Sequence, residues 1–139
     1  MTTLSPQPPA SEPVTLALPF SAESAAVARH RLRDWLHGHG AGGDHLDDAR
    51  LVLSELVGNA VRHARPLSDD TLRVEWDHHD AGLDIAVTDG GSVSSPERLD
   101  AAVSDLAGRG LAIVDTLASR WWVEATRSRT TVHALVELS

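Results

Sequence analysis

Val14, Leu16 and Leu18 alternate with Thr15 and Ala17 up to Pro19, a period of two that predicts a short strand. Its bounding prolines place it at a sheet edge, since proline removes a ladder hydrogen bond. The period then lengthens. Ala25, Ala28, Leu32, Trp35 and Leu36 recur at helical spacing behind Ser21, a capping residue, with Glu23 and Ser24 in the first turn. Gly38 and Gly40 end this helix, and Gly38 to Gly43 reads as a flexible loop. Asp44 then offers a cap for a longer second helix from about Leu46 to Ala64, which Pro66 terminates. Its apolar positions are Leu46, Leu53, Leu56, Val57, Ala60 and Ala64.

Two alternating runs follow, Leu72, Val74, Trp76 and Leu83, Ile85, Val87, joined by a polar turn with Asp80 and Gly82; they predict an antiparallel hairpin. Gly90 to Gly108 holds glycines, serines, Pro96 and a weak helical patch from Leu99 to Leu106, the composition of a mobile loop or lid. A helix from Gly110 to Ser119 and a second hairpin, Trp121 to Thr126 and Val132 to Leu138, complete the pattern. The order β-α-α-β-β-α-β-β predicts an α+β domain over residues 14–139, a two-layer α/β sandwich with helices on one face of a mixed, mostly antiparallel sheet. Met1 to Pro13, with four prolines among small polar residues, cannot bury a core and reads as a disordered arm.

Composition narrows the function. At 139 residues the chain has room for one core of ordinary size. A formal net charge of −8 opposes nucleic-acid binding, which draws most of its non-specific affinity from basic surface, and favours a protein or small-molecule partner. There is no cysteine, which excludes disulfides and thiolate sites and fits a reducing compartment. No apolar run approaches the roughly 18 residues of a membrane span, and no signal-peptide pattern opens the chain, so a soluble cytoplasmic protein is expected. All 12 basic residues are arginine, which excludes a P-loop or Schiff-base lysine.

Glu55 and Asn59 lie four apart on the second helix, one turn along the same face. Such a pair is by default a solvated polar stripe. Its chemical reading is an Asn59 amide oxygen that ligates Mg2+, a hard ion preferring oxygen donors, beside a Glu55 carboxylate able to take a proton from an attacking hydroxyl. Strand Leu83 to Thr88 runs into Asp89-Gly90-Gly91, which as a bare motif is a turn. At the base of a cleft, however, an ionised Asp89 accepts from the adenine 6-amino group and disfavours the carbonyl of guanine. Gly108-Arg109-Gly110-Leu111 precedes a helix, where glycines let backbone N–H groups approach an anion; a plain loop-to-helix joint has the same composition.

Taken together, Glu55-Leu-Val-Gly-Asn59-Ala-Val-Arg-His63, Asp89-Gly-Gly91 and Gly108-Arg-Gly110-Leu111 resemble, in order and spacing, the N, G1 and G2 boxes of the GHKL ATPases and kinases. The stretch from Leu53 to Ala64 is the most specific part and is similar to the small anti-sigma-factor serine kinases of bacteria; the likeness runs from about Val14 to Leu138. This resemblance implies the Bergerat fold, with ATP and Mg2+ bound between the long helix and the lid. It implies Asn59 as the metal ligand, Glu55 as the base, and His63, Asp89, Gly91, Gly108, Arg109, Gly110 and Leu111 at the nucleotide, with the Thr130 hydroxyl near it. It further implies serine phosphorylation of a STAS-domain anti-anti-sigma partner, sequestration of a sigma factor, and Arg29 of the first helix as a partner contact; a homodimer is compatible with this. Arg29 and Arg33, four apart, share one face of that helix. Two positions depart from the family pattern: Val93 stands where the kinases keep a glycine, and Arg129 where a glycine often precedes the final-strand threonine.

Two function classes stay open, a serine kinase and a nucleotide-gated binding module. Glu55 favours the first, because a pure binder needs no base, whereas Val93 and Arg129 favour the second. A histidine-kinase catalytic fragment is disfavoured, since no dimerisation helix pair with a phosphoacceptor precedes Val14. His37, His39, His45, His78 and His79 fall in expected loops and turns without ligand spacing, which argues against zinc. Trp121 and Trp122 face opposite ways in a strand, one toward the core and one outward.

Overall fold

Alternating burial builds the sheet. The computed structural model describes residues 13–38, 44–79, 81–91 and 111–137. Strand β1 (Val14–Pro19) pairs with β2 (Thr71–His79), and β2 with β3 (Gly82–Asp89). Strand β4 (Arg120–Ala125) pairs with β5 (Thr130–Val136), which in turn lies against β3. The order is β1-β2-β3-β5-β4, so β1 is an edge strand as its prolines require. Every described pair is antiparallel, the purer form of the mostly antiparallel sheet expected from short hairpin connections.

One face of this sheet is apolar: Leu72, Val74 and Trp76 of β2, Leu83, Ile85 and Val87 of β3, and Val132, Ala134 and Val136 of β5 are all buried. The helices cover it. Helix α1 (Glu23–Gly38) buries Ala28, Leu32 and Leu36, and α2 (Asp44–His63) buries Leu46, Ala49, Val52, Leu53, Leu56, Val57 and Ala60. Helix α2 packs against α1, β3 and β5, and the short α3 (Ala112–Leu117) packs against α2 and β4. Leu53 has no exposed surface, so Leu53→Ala is expected to cost about 2–5 kcal/mol through lost transfer energy and the cavity left behind.

Local polar contacts set the element ends. The Ser24 hydroxyl donates to the Pro19 carbonyl at 2.5 Å, tying the start of α1 to the end of β1. The backbone N–H of Glu23 and the Ser21 hydroxyl hold the Glu23 carboxyl below its ordinary range. Helix α3 is shorter than the Gly110-to-Ser119 span expected, because the Ser119 N–H and hydroxyl both donate to Leu135 O, at 2.8 and 3.0 Å, and draw the chain into β4.

The histidines correct the expected loops. His37 lies in the last turn of α1, and His78 and His79 lie in β2. The His78 ring meets Trp35 edge-on at 6.4 Å, and His79 Nε2 pairs with Asp84 Oδ2 across the hairpin at 2.7 Å. Trp121 packs toward the helices and its Nε1 donates to Asp115 Oδ1 at 3.0 Å. Trp122 turns the other way, stacking on His133 at 4.8 Å with the Arg120 guanidinium 4.6 Å from its ring centroid. The N-terminal arm up to residue 12, the loop at 39–43, and the lid with its helical patch and Val93 lie outside the described residues. No helix among the described residues is long and apolar enough to cross a membrane.

Candidate active site

Helix α2 supplies the first half of the site. Its deeply apolar positions face α1 and the sheet, which leaves Glu55 and Asn59 on the flank of that buried stripe, one turn apart. Asn59 is only 4% exposed, and its Oδ1 has no hydrogen-bond partner among the described residues. A buried amide oxygen left unpaired costs about 1–3 kcal/mol, so this oxygen has capacity for a ligand that would complete it. An amide oxygen is a donor suited to a hard divalent cation. Glu55 is half-buried, within reach of solvent. His63 closes α2 and is exposed.

The sheet supplies the second half. Side chains at 83, 85, 87 and 89 of β3 share the helix-covered face, so Asp89, the last residue of the strand, points to the side on which α2 lies. Asp89 is 4% exposed, and burial raises its carboxyl to about 6; the N–H of Gly91, donating to Asp89 Oδ1 at 2.7 Å, opposes the rise. A carboxylate has capacity beyond that single bond, so Asp89 can still accept from a ligand N–H. Thr130, the first residue of β5, is the direct cross-strand partner of Asp89 and is half-buried on the same face. Its hydroxyl oxygen lies 3.8 Å from where a Cβ on Gly91 would sit. Gly91 has φ +88°, a backbone conformation that glycine adopts without strain.

A two-bond bridge ties the halves together. Arg65 N donates to Gly91 O at 3.0 Å, and Gly90 N donates to Arg65 O at 2.7 Å. The segment leaving α2 is thereby fastened to the end of β3, which sets the helix carrying Asn59 against the strand carrying Asp89. The sequence marks Gly90 and Pro66 separately as breakers but carries no signal that they meet.

Asp89, Gly91 and Thr130 thus lie together at the end of β3 and the start of β5, the two strands against which α2, carrying Glu55 and Asn59, packs. Leu111 sits just before α3 with 1% of its surface exposed, a core residue at that helix's start. Gly108, Arg109 and Gly110 lie outside the described residues. Arg29 is on α1 and half-buried. Arg129 is exposed; its backbone N lies 3.7 Å from a Cβ position on Gly91, so the turn before β5 packs beside that glycine.

The chain is similar in sequence and fold to known proteins. The model of the histidine kinase-like ATPase domain matches residues 18–135. Serine-protein kinase RsbW of Listeria innocua is 26% identical across 75% of this chain and 74% of its own length. RsbW of Listeria monocytogenes is 27% identical over the same shares. The RsbU and RsbW domains of Rv1364c from Mycobacterium tuberculosis superpose with a TM-score of 0.71 at 25% identity, over 96% of this chain, which spans 33% of that one. The SiaB-SiaC complex of Pseudomonas aeruginosa shares the fold, with a TM-score of 0.61 at 13% identity. On the match over residues 18–135, the chain belongs to the histidine kinase-like ATPase domain family.

Proposed function

We propose that this protein is an ATP-dependent serine kinase that acts on a STAS-domain anti-anti-sigma partner and sequesters a sigma factor. The observation that carries the reading is the buried Oδ1 of Asn59, without a hydrogen-bond partner among the described residues, one turn from Glu55 on the helix that packs against β3 and β5, the strands of Asp89 and Thr130. An oxygen donor, a carboxylate base and a buried acceptor at a strand end are the parts a Mg-ATP kinase site needs. Similarity to the RsbW serine-protein kinases supports the choice of reaction.

When bound, Mg-ATP supplies the transferable phosphoryl group and the charge neutralisation its transfer requires. The residues of the chain divide the remaining work. Asn59 Oδ1 would hold the metal, which would complete an oxygen without a partner among the described residues. Asp89 accepts from the adenine amino group and selects against guanine. By the family resemblance, nucleotide binding is assigned to the Thr130 hydroxyl and to His63, Gly91, Gly108, Arg109, Gly110 and Leu111. Glu55 takes the proton of the acceptor serine as its oxygen becomes the nucleophile. Arg29 contacts the protein partner from α1.

Calorimetry tests the nucleotide half of this reading. Wild type is expected to prefer Mg-ATP over Mg-GTP, and Asp89→Asn to lose much of that preference. Equal affinity of the wild type for the two nucleotides would remove the base-reading role of Asp89.

A further inference from the structure

We infer that Gly90 is a positioning residue: its lack of a side chain lets the Arg65–Pro66 segment close on the end of β3, and this closure fixes the separation of Asp89 from Asn59. The inference rests on the nucleotide reading above and adds to it a residue that touches neither base, phosphate nor metal.

Space, and not backbone angle, makes the case for Gly90. A Cβ built there would overlap the carbonyl oxygen of Pro66 and lie 2.8 Å from the Pro66 carbonyl carbon and 3.0 Å from Arg65 O. The obstacles are backbone atoms, which cannot swing aside as a flexible side chain would. One of them, Arg65 O, belongs to the bridge, and the Pro66 carbonyl follows it directly in the chain: Gly90 N donates to Arg65 O at 2.7 Å and Arg65 N donates to Gly91 O at 3.0 Å. A methyl group at position 90 must therefore push the segment away and lengthen or break both bonds.

The bridge has a site residue at each end. On the strand side, Gly91 holds Asp89 Oδ1 through its N–H, so a shift of the 90–91 backbone moves the carboxylate that reads the base. On the helix side, Ala64 N still donates to Ala60 O at 2.9 Å, which couples Arg65 directly to the last turn of α2 and to Asn59 one residue before Ala60. Pro66 contributes from outside the bond pattern. It restricts Arg65 to an extended conformation, in which the N–H and C=O of Arg65 both reach the strand end. Pro66 is itself exposed and has no N–H to lose.

Wild type, Gly90→Ala and Pro66→Ala are compared by calorimetry with Mg-ATP and Mg-GTP, each also melted without nucleotide. Displacements near 1 Å in a positioned site can cost on the order of 100-fold, so Gly90→Ala is expected to bind Mg-ATP about 10- to 100-fold more weakly. Its preference for ATP over GTP should fall with the affinity, which a general loss of stability would not produce. Pro66→Ala should melt with the wild type and show a smaller loss in the same direction. In the wild type, hydrogen exchange at the Arg65 and Gly90 amides should slow when Mg-ATP binds. A folded Gly90→Ala with wild-type affinity and preference overturns the inference. If Gly90→Ala does not fold, wild-type binding by Pro66→Ala together with exchange indifferent to Mg-ATP overturns it equally. A wild type that binds neither nucleotide overturns the nucleotide reading and this inference with it, whereas a wild type that binds beside an unaffected Gly90→Ala overturns only the inference.

Discussion

Asp89 and Thr130 face each other across the β3–β5 ladder, on the side of the sheet that α2 covers. This pairing puts a buried carboxylate beside a hydroxyl at the end of the central strands. Among the described residues no cation offsets the burial of this carboxylate: its rise to about 6 comes first from desolvation, with the Gly91 N–H opposing.

That rise has a measurable sign. Asp89 moves from 3.8 to about 6 on folding, so between those values the folded chain holds a proton that the unfolded chain has lost. Stability contributed by this group is therefore present below about pH 4 and is lost as pH rises to about 6, by up to ~3 kcal/mol. Thermal unfolding of wild type and Asp89→Asn should diverge over this window, with the variant more stable at pH 7. If the ionised form accepts from adenine, ATP affinity of the wild type should also fall as pH drops below about 6. Parallel stability curves for the two proteins from pH 4 to 7 would contradict the burial account.

Asn59 gives a second separation of stability from function. Its buried Oδ1 has no partner among the described residues, so Asn59→Ala removes a group that costs about 1–3 kcal/mol when unsatisfied. The variant should melt no lower than the wild type without nucleotide, yet lose most of the magnesium dependence of ATP binding. Titrations with and without Mg2+ check this, and an unchanged magnesium response would refute the metal role.

Much of this arrangement is legible in the sequence because it is local. The helical period of Leu53, Leu56, Val57 and Ala60 fixes which side of α2 is buried and hence where Glu55 and Asn59 stand. Alternation through Leu83, Ile85 and Val87 likewise puts Asp89 on the core face. What period cannot give is which elements meet. The insertion of β5 between β3 and β4 is a property of the sheet, not of any one strand. The closure of Arg65 and Pro66 on Gly90 joins residues about 25 positions apart through backbone atoms, which leave no residue-type signature. The histidines mislead for a related reason: His78 and His79 look like turn residues by polarity but are kept in β2 by Trp35 and Asp84.

A partner surface on α1 makes a third prediction. Arg29 and Arg33 are both half-buried on that helix, and Arg33 pairs with Asp34 at 3.6 Å. In a chain of net charge −8, a basic face is a distinct site for an acidic partner. Arg29→Glu should weaken capture of the partner from host extract while leaving ATP affinity as it is. Full-strength capture by the variant would place the interface elsewhere.

Phosphate transfer by Glu55→Gln tests the kinase reading most directly. A general base contributes about 10²- to 10⁴-fold, and a half-buried Gln at position 55 keeps the size and polarity of Glu. With labelled ATP and a cognate STAS-domain protein, wild type should transfer phosphate to a serine, and Glu55→Gln should retain ATP affinity while losing about that factor in rate. A wild type that binds ATP and its partner yet transfers nothing, or a Glu55→Gln variant that transfers at the wild-type rate, would contradict the assignment.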